Sequence, residues 1–180
     1  FSGYCLNVPV LFYHHVQPDS EAKRLWQTAL SVDSGIFEQQ MSYLVSQGYT
    51  AISAKQLVDA LLLHGSLPQK SIVLTFDDGY KDVYQNALPI LRKFGFPAVM
   101  SINPLLVGKK AVFATREVDK ARDICSLEEL RGLSESGVTI VNHGFSHKDL
   151  PKLNEQEILH EYLEAKKWIY SNVKNNTYPE

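Results

Sequence analysis

The stretch SIVLTFDDGY, Ser71 to Tyr80, joins an apolar segment directly to two neighbouring carboxylates. Its run of Ile, Val and Leu is continuous rather than alternating, which is typical of a parallel strand covered on both faces. Asp77 and Asp78 follow at once, although adjacent like charges raise each other's pKa. Neighbouring side chains at a strand end point in different directions, so the pair indicates two separate roles.

Four further apolar runs predict other strands of the same sheet, at residues 8–15, 49–53, 97–102 and 138–143. Segments with helical periodicity separate several of these runs. Such alternation predicts an α/β fold with a parallel sheet, either open and doubly wound or curled into a barrel. Ligands bind at the carboxyl ends of the strands in both architectures.

Apolar side chains at helical spacing predict helices that end near Gly48 and Gly95. Pro89 should kink or shorten the second of these helices. Two more helices are expected after residues 126 and 154, because Ser and Asn there precede a Glu at the spacing of a capping box. The last helix is expected to run to about Tyr170.

Composition predicts one globular domain over residues 1–180, because 44% of the residues are hydrophobic and 21% are charged. The net charge of −2 argues against nucleic acid as a partner, and no apolar run is long enough for a membrane span. Cys5 and Cys125 are too few for a disulfide framework; they could pair in an oxidising compartment, and two unpaired buried thiols are the equal alternative. Trp26 and Trp168 are interpreted as packing residues. Because the chain begins at Phe1, we expect any export signal to have been removed.

The chemically informative side chains fall where predicted strands end. His14 and His15 close the first strand, and His143 closes the last, four residues before His147. Two imidazoles and one carboxylate form a common divalent-metal set that leaves coordination positions open. Either aspartate after residue 76 could supply the carboxylate, and the other would then be free to take a proton from water.

TFDDG at 75–79 and NHGFSH at 142–147 resemble the first two motifs of polysaccharide deacetylases of carbohydrate esterase family four. The resemblance implies a distorted (β/α) barrel with fewer than eight strands. It assigns Asp77 as the catalytic base, and Asp78, His143 and His147 as ligands of a divalent metal, zinc first, with cobalt or nickel as alternatives. His14 is then the general acid, with His15 the adjacent alternative.

VPVLFYHHV at 8–16 and FEQQMSYLVSQGYTAIS at 37–53 are most similar to the branch that deacetylates poly-N-acetylglucosamine. The resemblance therefore implies a hydrolase that removes N-acetyl groups from a glycan partner: poly-N-acetylglucosamine, chitin-like polymer or peptidoglycan glycan. A substrate of this class implies an extracellular or cell-envelope location. A related amidase acting on a small nitrogenous substrate is an alternative.

Two departures from the family pattern bear on activity. Gly144 stands where the second motif usually has Thr or Ser, and the chain ends at Glu180 without the Pro-Tyr-Gly strand that normally follows. We therefore expect the barrel to lack its C-terminal strands, and an inactive domain that binds metal or glycan without turnover is an alternative. A non-haem iron oxygenase, which shares the two-histidine, one-carboxylate set, and a phosphorylatable receiver domain are more remote hypotheses.

Overall fold

The computed structural model describes residues 7–18, 30–115 and 117–173, so Cys5, Trp26 and the tail 174–180 lie outside the described residues. The strands are β1 Val10–Tyr13, β2 His15–Gln17, β3 Ser31–Asp33, β4 Thr50–Ala51, β5 Ser71–Phe76, β6 Ala98–Ile102 and β7 Val138–Asn142. The helices are α1 Ser34–Ser46, α2 Ala54–Leu62, α3 Leu88–Phe94, α4 Glu117–Lys120, α5 Leu127–Glu135 and α6 Glu155–Asn172.

The main sheet is parallel and has the order β1-β5-β6-β7, with β4 also paired to β5. Strand β5 has the predicted bounds, and five of its six side chains are buried. Strands β2 and β3 form a separate parallel pair. Since β1 and β7 stand at opposite ends of the strand order, the sheet is an incomplete barrel over the part of the chain that the structure describes.

The predicted strand over residues 8–15 is wrong in its extent and its burial. The backbone bends at His14, which separates β1 from β2. Side chains on β1 are also partly in solvent, with Val10 53% and Phe12 67% exposed. The β1 side chains are exposed because β1 lies at an edge of the sheet and is not covered on both faces as β5 is.

The hydrophobic core lies between the sheet and helices α1, α3 and α5. Its large, fully buried side chains come from the inner faces of these elements: Phe37, Met41, Leu74, Phe76, Leu91, Met100, Ile102, Leu130 and Leu133. Close packing of this kind makes the sheet a rigid platform. The carboxyl ends of β5, β6 and β7 are therefore held in fixed relative positions.

The helix ends lie near the residues that the local capping signals predicted. Ser126 and Asn154 each form a complete capping box at the start of α5 and α6. Gly95 adopts a left-handed conformation after α3, and Pro89 lies in the first turn of that seven-residue helix. A π-helical turn, Val83–Ala87, precedes α3. Helix α6 ends at Asn172, two residues beyond the predicted end. None of the helices in the described ranges combines the length and apolarity needed to cross a membrane.

Candidate metal centre

The two aspartates after β5 are separated by a sharp turn of the backbone. The Asp77 amide donates to the carbonyl of Tyr13 at 2.9 Å, which continues the pairing of β5 with β1. Asp78 then adopts a left-handed conformation with φ of 73°, which is unfavourable for a residue with a side chain. Its carboxylate is buried, with the residue only 5% exposed. Strained backbone at a buried carboxylate is typical of functional sites.

Two histidines converge on the Asp78 carboxylate from the end of β7. The His143 amide donates to the carbonyl of Ile102, so this residue continues the pairing of β7 with β6. The Nε2 atoms of His143 and His147 lie 3.2 Å and 3.1 Å from Oδ1 of Asp78. Like Asp78, His147 has a left-handed backbone, with φ of 61°. The structure therefore brings together the three ligands assigned from the sequence.

The spacing of these atoms fits a divalent metal ion. One ligand atom from each of the three residues lies within 4.8 Å of the others. Bonds of about 2.0–2.1 Å to a tetrahedral zinc ion would place neighbouring ligand atoms about 3.3 Å apart, close to the two nitrogen–oxygen distances. Two imidazoles and a carboxylate suit zinc, cobalt or nickel, and three protein ligands leave room for water or substrate. The cluster is thus a possible metal centre.

The charges in this cluster favour a deprotonated aspartate. Burial would raise the pKa of Asp78, but hydrogen bonds and charges from His143 and His147 outweigh it and hold that pKa far below its usual range. The hydrogen bond to Asp78 in turn raises the pKa of His143. A metal must compete with the protons on the imidazoles, because only neutral histidine binds it.

Asp77 lies beside the cluster but faces a different partner. The hydroxyl of Ser101, on β6, donates to Oδ1 of Asp77 at 2.7 Å. This bond fixes the carboxylate and leaves Oδ2 for another partner. Sequence reasoning missed Ser101, because no local pattern pairs it with an aspartate 24 residues away.

His14 and His15, on either side of the bend between β1 and β2, face different partners. Nε2 of His14 lies 4.0 Å from Oδ2 of Asp78, so this ring faces the cluster. His15 is only 1% exposed, and its Nδ1 lies 2.7 Å from Oδ2 of Asp82. Its ring also packs on Tyr80, with the centroids 3.8 Å apart. Of the two histidines, His14 is therefore the one placed to act at the cluster.

Phe113 covers one side of the cluster. Its ring stacks on His147 with centroids 4.0 Å apart and an angle of 23° between the planes. The residue lies in the irregular segment between β6 and α5, and nothing in the sequence pattern singled it out. Its position restricts how far the imidazole can rotate.

The family model for polysaccharide deacetylases matches residues 64–178, well over half of the chain. The chain belongs to the polysaccharide deacetylase family. The matched region contains Asp77, Asp78, His143 and His147, whereas His14 precedes it.

Individual relatives agree with the family match. The chain is 27% identical over 166 residues to YxkH of Bacillus subtilis, a protein that carries the family name, and covers 92% of its own length and 52% of that relative. It is 36% identical over 87 residues to the poly-beta-1,6-N-acetyl-D-glucosamine N-deacetylase of Escherichia coli K12, which is 48% of this chain and 12% of the relative. The chain thus spans about half the length of the first relative and a small part of the second.

Solved structures confirm the fold class. The deacetylase PplD of Streptococcus pyogenes, in complex with acetate, superimposes with a TM-score of 0.80 over 96% of this chain and 71% of that chain. Identity is 24%, so this likeness bears on fold alone. The expected barrel of the polysaccharide deacetylase type is therefore correct, and it is incomplete over the described residues.

Proposed function

We propose that this chain is a metal-dependent hydrolase that removes N-acetyl groups from a polymer of N-acetylglucosamine. The observation that carries the proposal is the convergence of two imidazole nitrogens on Oδ1 of Asp78, with the Asp77 carboxylate alongside. Asp78, His143 and His147 would hold the ion. A divalent metal there supplies a Lewis acid that polarises a carbonyl and makes water a better nucleophile.

The remaining side chains have complementary proton-transfer roles. Ser101 holds one oxygen of Asp77, so Oδ2 is the atom that accepts a proton from the attacking water. Nε2 of His14, 4.0 Å from Oδ2 of Asp78, donates a proton to the leaving nitrogen. Addition of water to the acetamide and loss of the amine together yield acetate and a free glucosamine unit.

The substrate we favour is poly-β-1,6-N-acetylglucosamine. The Escherichia coli relative is named for that polymer and shares 36% identity over 87 residues with this chain. Chitin-like polymer and peptidoglycan glycan present the same acetamide group and would need the same chemistry. Because the proposed substrate is a polymeric glycan, we propose an extracellular or cell-envelope location.

The test is release of acetate from three substrates by zinc-loaded protein: β-1,6-linked and β-1,4-linked N-acetylglucosamine oligomers, and peptidoglycan glycan strands. We expect release to be fastest with β-1,6-linked oligomers, to stop after chelation and to return with zinc, cobalt or nickel. The Asp77→Asn variant is the matched inactive control. The proposal would be overturned if the metal-loaded protein released acetate from none of the three substrates.

A further inference from the structure

The segment between the two histidine ligands has an unusual backbone. Residues 144–146 connect His143 to His147, and both ends of the connection lie in the left-handed region: Gly144 has φ of 84° and His147 has φ of 61°. Glycine adopts such a φ freely, but at His147, which has a Cβ, the conformation persists only where the surroundings enforce it. Something outside the segment must therefore hold it in place.

Glu161, on α6, supplies that support. Its Oε2 accepts the amide of Ser146 at 2.7 Å, and its Oε1 accepts the Ser146 hydroxyl at 2.5 Å. A hydrogen bond from the Phe145 backbone also reaches this carboxylate. Glu161 is only 2% exposed, and a buried carboxylate is tolerated only where strong hydrogen bonds satisfy it. Burial would raise the pKa of Glu161, but these bonds outweigh it and keep that pKa below its usual range.

The connection is shaped to receive this carboxylate. A Cβ at Gly144 would lie 3.4 Å from Oε2 of Glu161, so the glycine lets the carboxylate approach the backbone closely. The connection has a second buried partner, because Nδ2 of Asn103 donates to the carbonyls of His143 and Gly144, at 2.6 Å and 3.1 Å. The connection is thus held between a buried amide and a buried carboxylate.

We propose that Glu161 is a positioning residue of the candidate metal centre: by binding Ser146, it holds the imidazoles of His143 and His147 against Asp78. The inference rests on the proposed function, because it presumes that these three residues bind a metal. Partners behind the ligands of metal sites typically change metal affinity about 10-fold to 100-fold when they are removed. An effect of that size is expected here.

The first experiment measures the zinc dissociation constant by competition with a chelator. The variants are Glu161→Gln and Glu161→Ala, and Glu164→Gln on the same helix is the matched control. We expect affinity to fall about 10-fold in Glu161→Gln and about 100-fold in Glu161→Ala, with the control unchanged. Circular dichroism without metal shows which variants fold. If the alanine variant does not, the glutamine variant, which has nearly the same shape, carries the comparison.

Two further readouts separate positioning from a general loss of stability. The visible spectrum of the cobalt-loaded protein reports ligand geometry, and it should change in Glu161→Gln but not in Glu164→Gln. Ser146→Ala should weaken zinc binding by itself, yet add little to Glu161→Ala, because both act through one contact. Wild-type zinc affinity and cobalt spectrum in a folded Glu161→Gln variant would overturn the inference and leave the proposed function intact. Absence of zinc binding in the wild type would overturn both.

Discussion

Replacing Gly79 with alanine should destabilise the fold more than the same replacement at Gly108. Both glycines have φ of 73°, so alanine must adopt the same unfavourable positive φ at either position. A Cβ at Gly79 would lie 3.0 Å from Cγ2 of Ile102, whereas at Gly108 no heavy atom of the described structure lies within 4 Å. Comparing the two alanine variants therefore separates the free-energy cost of the contact with Ile102 from the cost of placing alanine at positive φ.

The expected magnitudes follow from these two terms. Left-handed backbone costs a residue with a Cβ about 1–2 kcal/mol, partly offset by the lower entropy of the unfolded alanine chain. Gly108→Ala should therefore lose about 1 kcal/mol of unfolding free energy. Ile102 is fully buried in β6 and cannot move freely, so overpacking should add about 1–3 kcal/mol at Gly79.

The assay is urea denaturation of the metal-free protein, with circular dichroism as the probe. A lower midpoint with an unchanged m-value reports a change in stability alone. We expect the midpoint for Gly79→Ala to lie clearly below that for Gly108→Ala, and both to lie below the wild type. Equal midpoints for the two variants would refute the reasoning, because they would mean that the contact with Ile102 costs nothing.

The other predictions concern the side chains of the site. Asp77→Asn should retain zinc but lose about 10²–10⁴-fold in the rate of acetate release, and zinc loss instead would contradict its role as base. His14→Ala should lower that rate with little effect on the urea midpoint. His15→Ala should lower the unfolding free energy by about 1–3 kcal/mol, and the midpoint with it, because a fully buried ring loses its hydrogen bond to Asp82 and its packing on Tyr80; the reverse pattern would contradict the assignment. In metal-free protein, the hydrogen bond between protonated His143 and Asp78 raises the pKa of His143 and stabilises the fold. This stabilisation is fully present below about pH 6.5 and is lost as the pH rises through the raised pKa. Unfolding midpoints should therefore decline as the pH rises above about 6.5, and an unchanged decline in His143→Gln would show that another group causes it.

The sequence predicted best those features that depend on neighbouring residues. Strand β5 was predicted with the right bounds because its Ile-Val-Leu run is continuous and five of its six side chains are buried. Both capping boxes were predicted because a side chain at one position caps a backbone amide three residues away. The aspartates and histidines of the site were found because the ends of parallel strands meet at one edge of a sheet.

Features that depend on distant residues could not be predicted. The bend at His14 divides one apolar run into two strands, and exposure of Phe12 reflects the edge position of β1 rather than its own sequence. Ser101 contacts Asp77 from 24 residues away, and Glu161 contacts Ser146 from 15 residues away. No local pattern pairs such residues, so only the folded chain shows them.

The most direct measurement is the metal content of the purified chain by elemental analysis, after loading with zinc, in the wild type, Asp78→Ala and His143→Ala. The same samples are assayed for acetate release from N-acetylglucosamine oligomers. The account predicts about one ion per chain in the wild type, a clear loss of the ion in both variants, and acetate release only where the ion is present. A wild type that binds no zinc, cobalt or nickel, or variants that bind as much as the wild type, would contradict it.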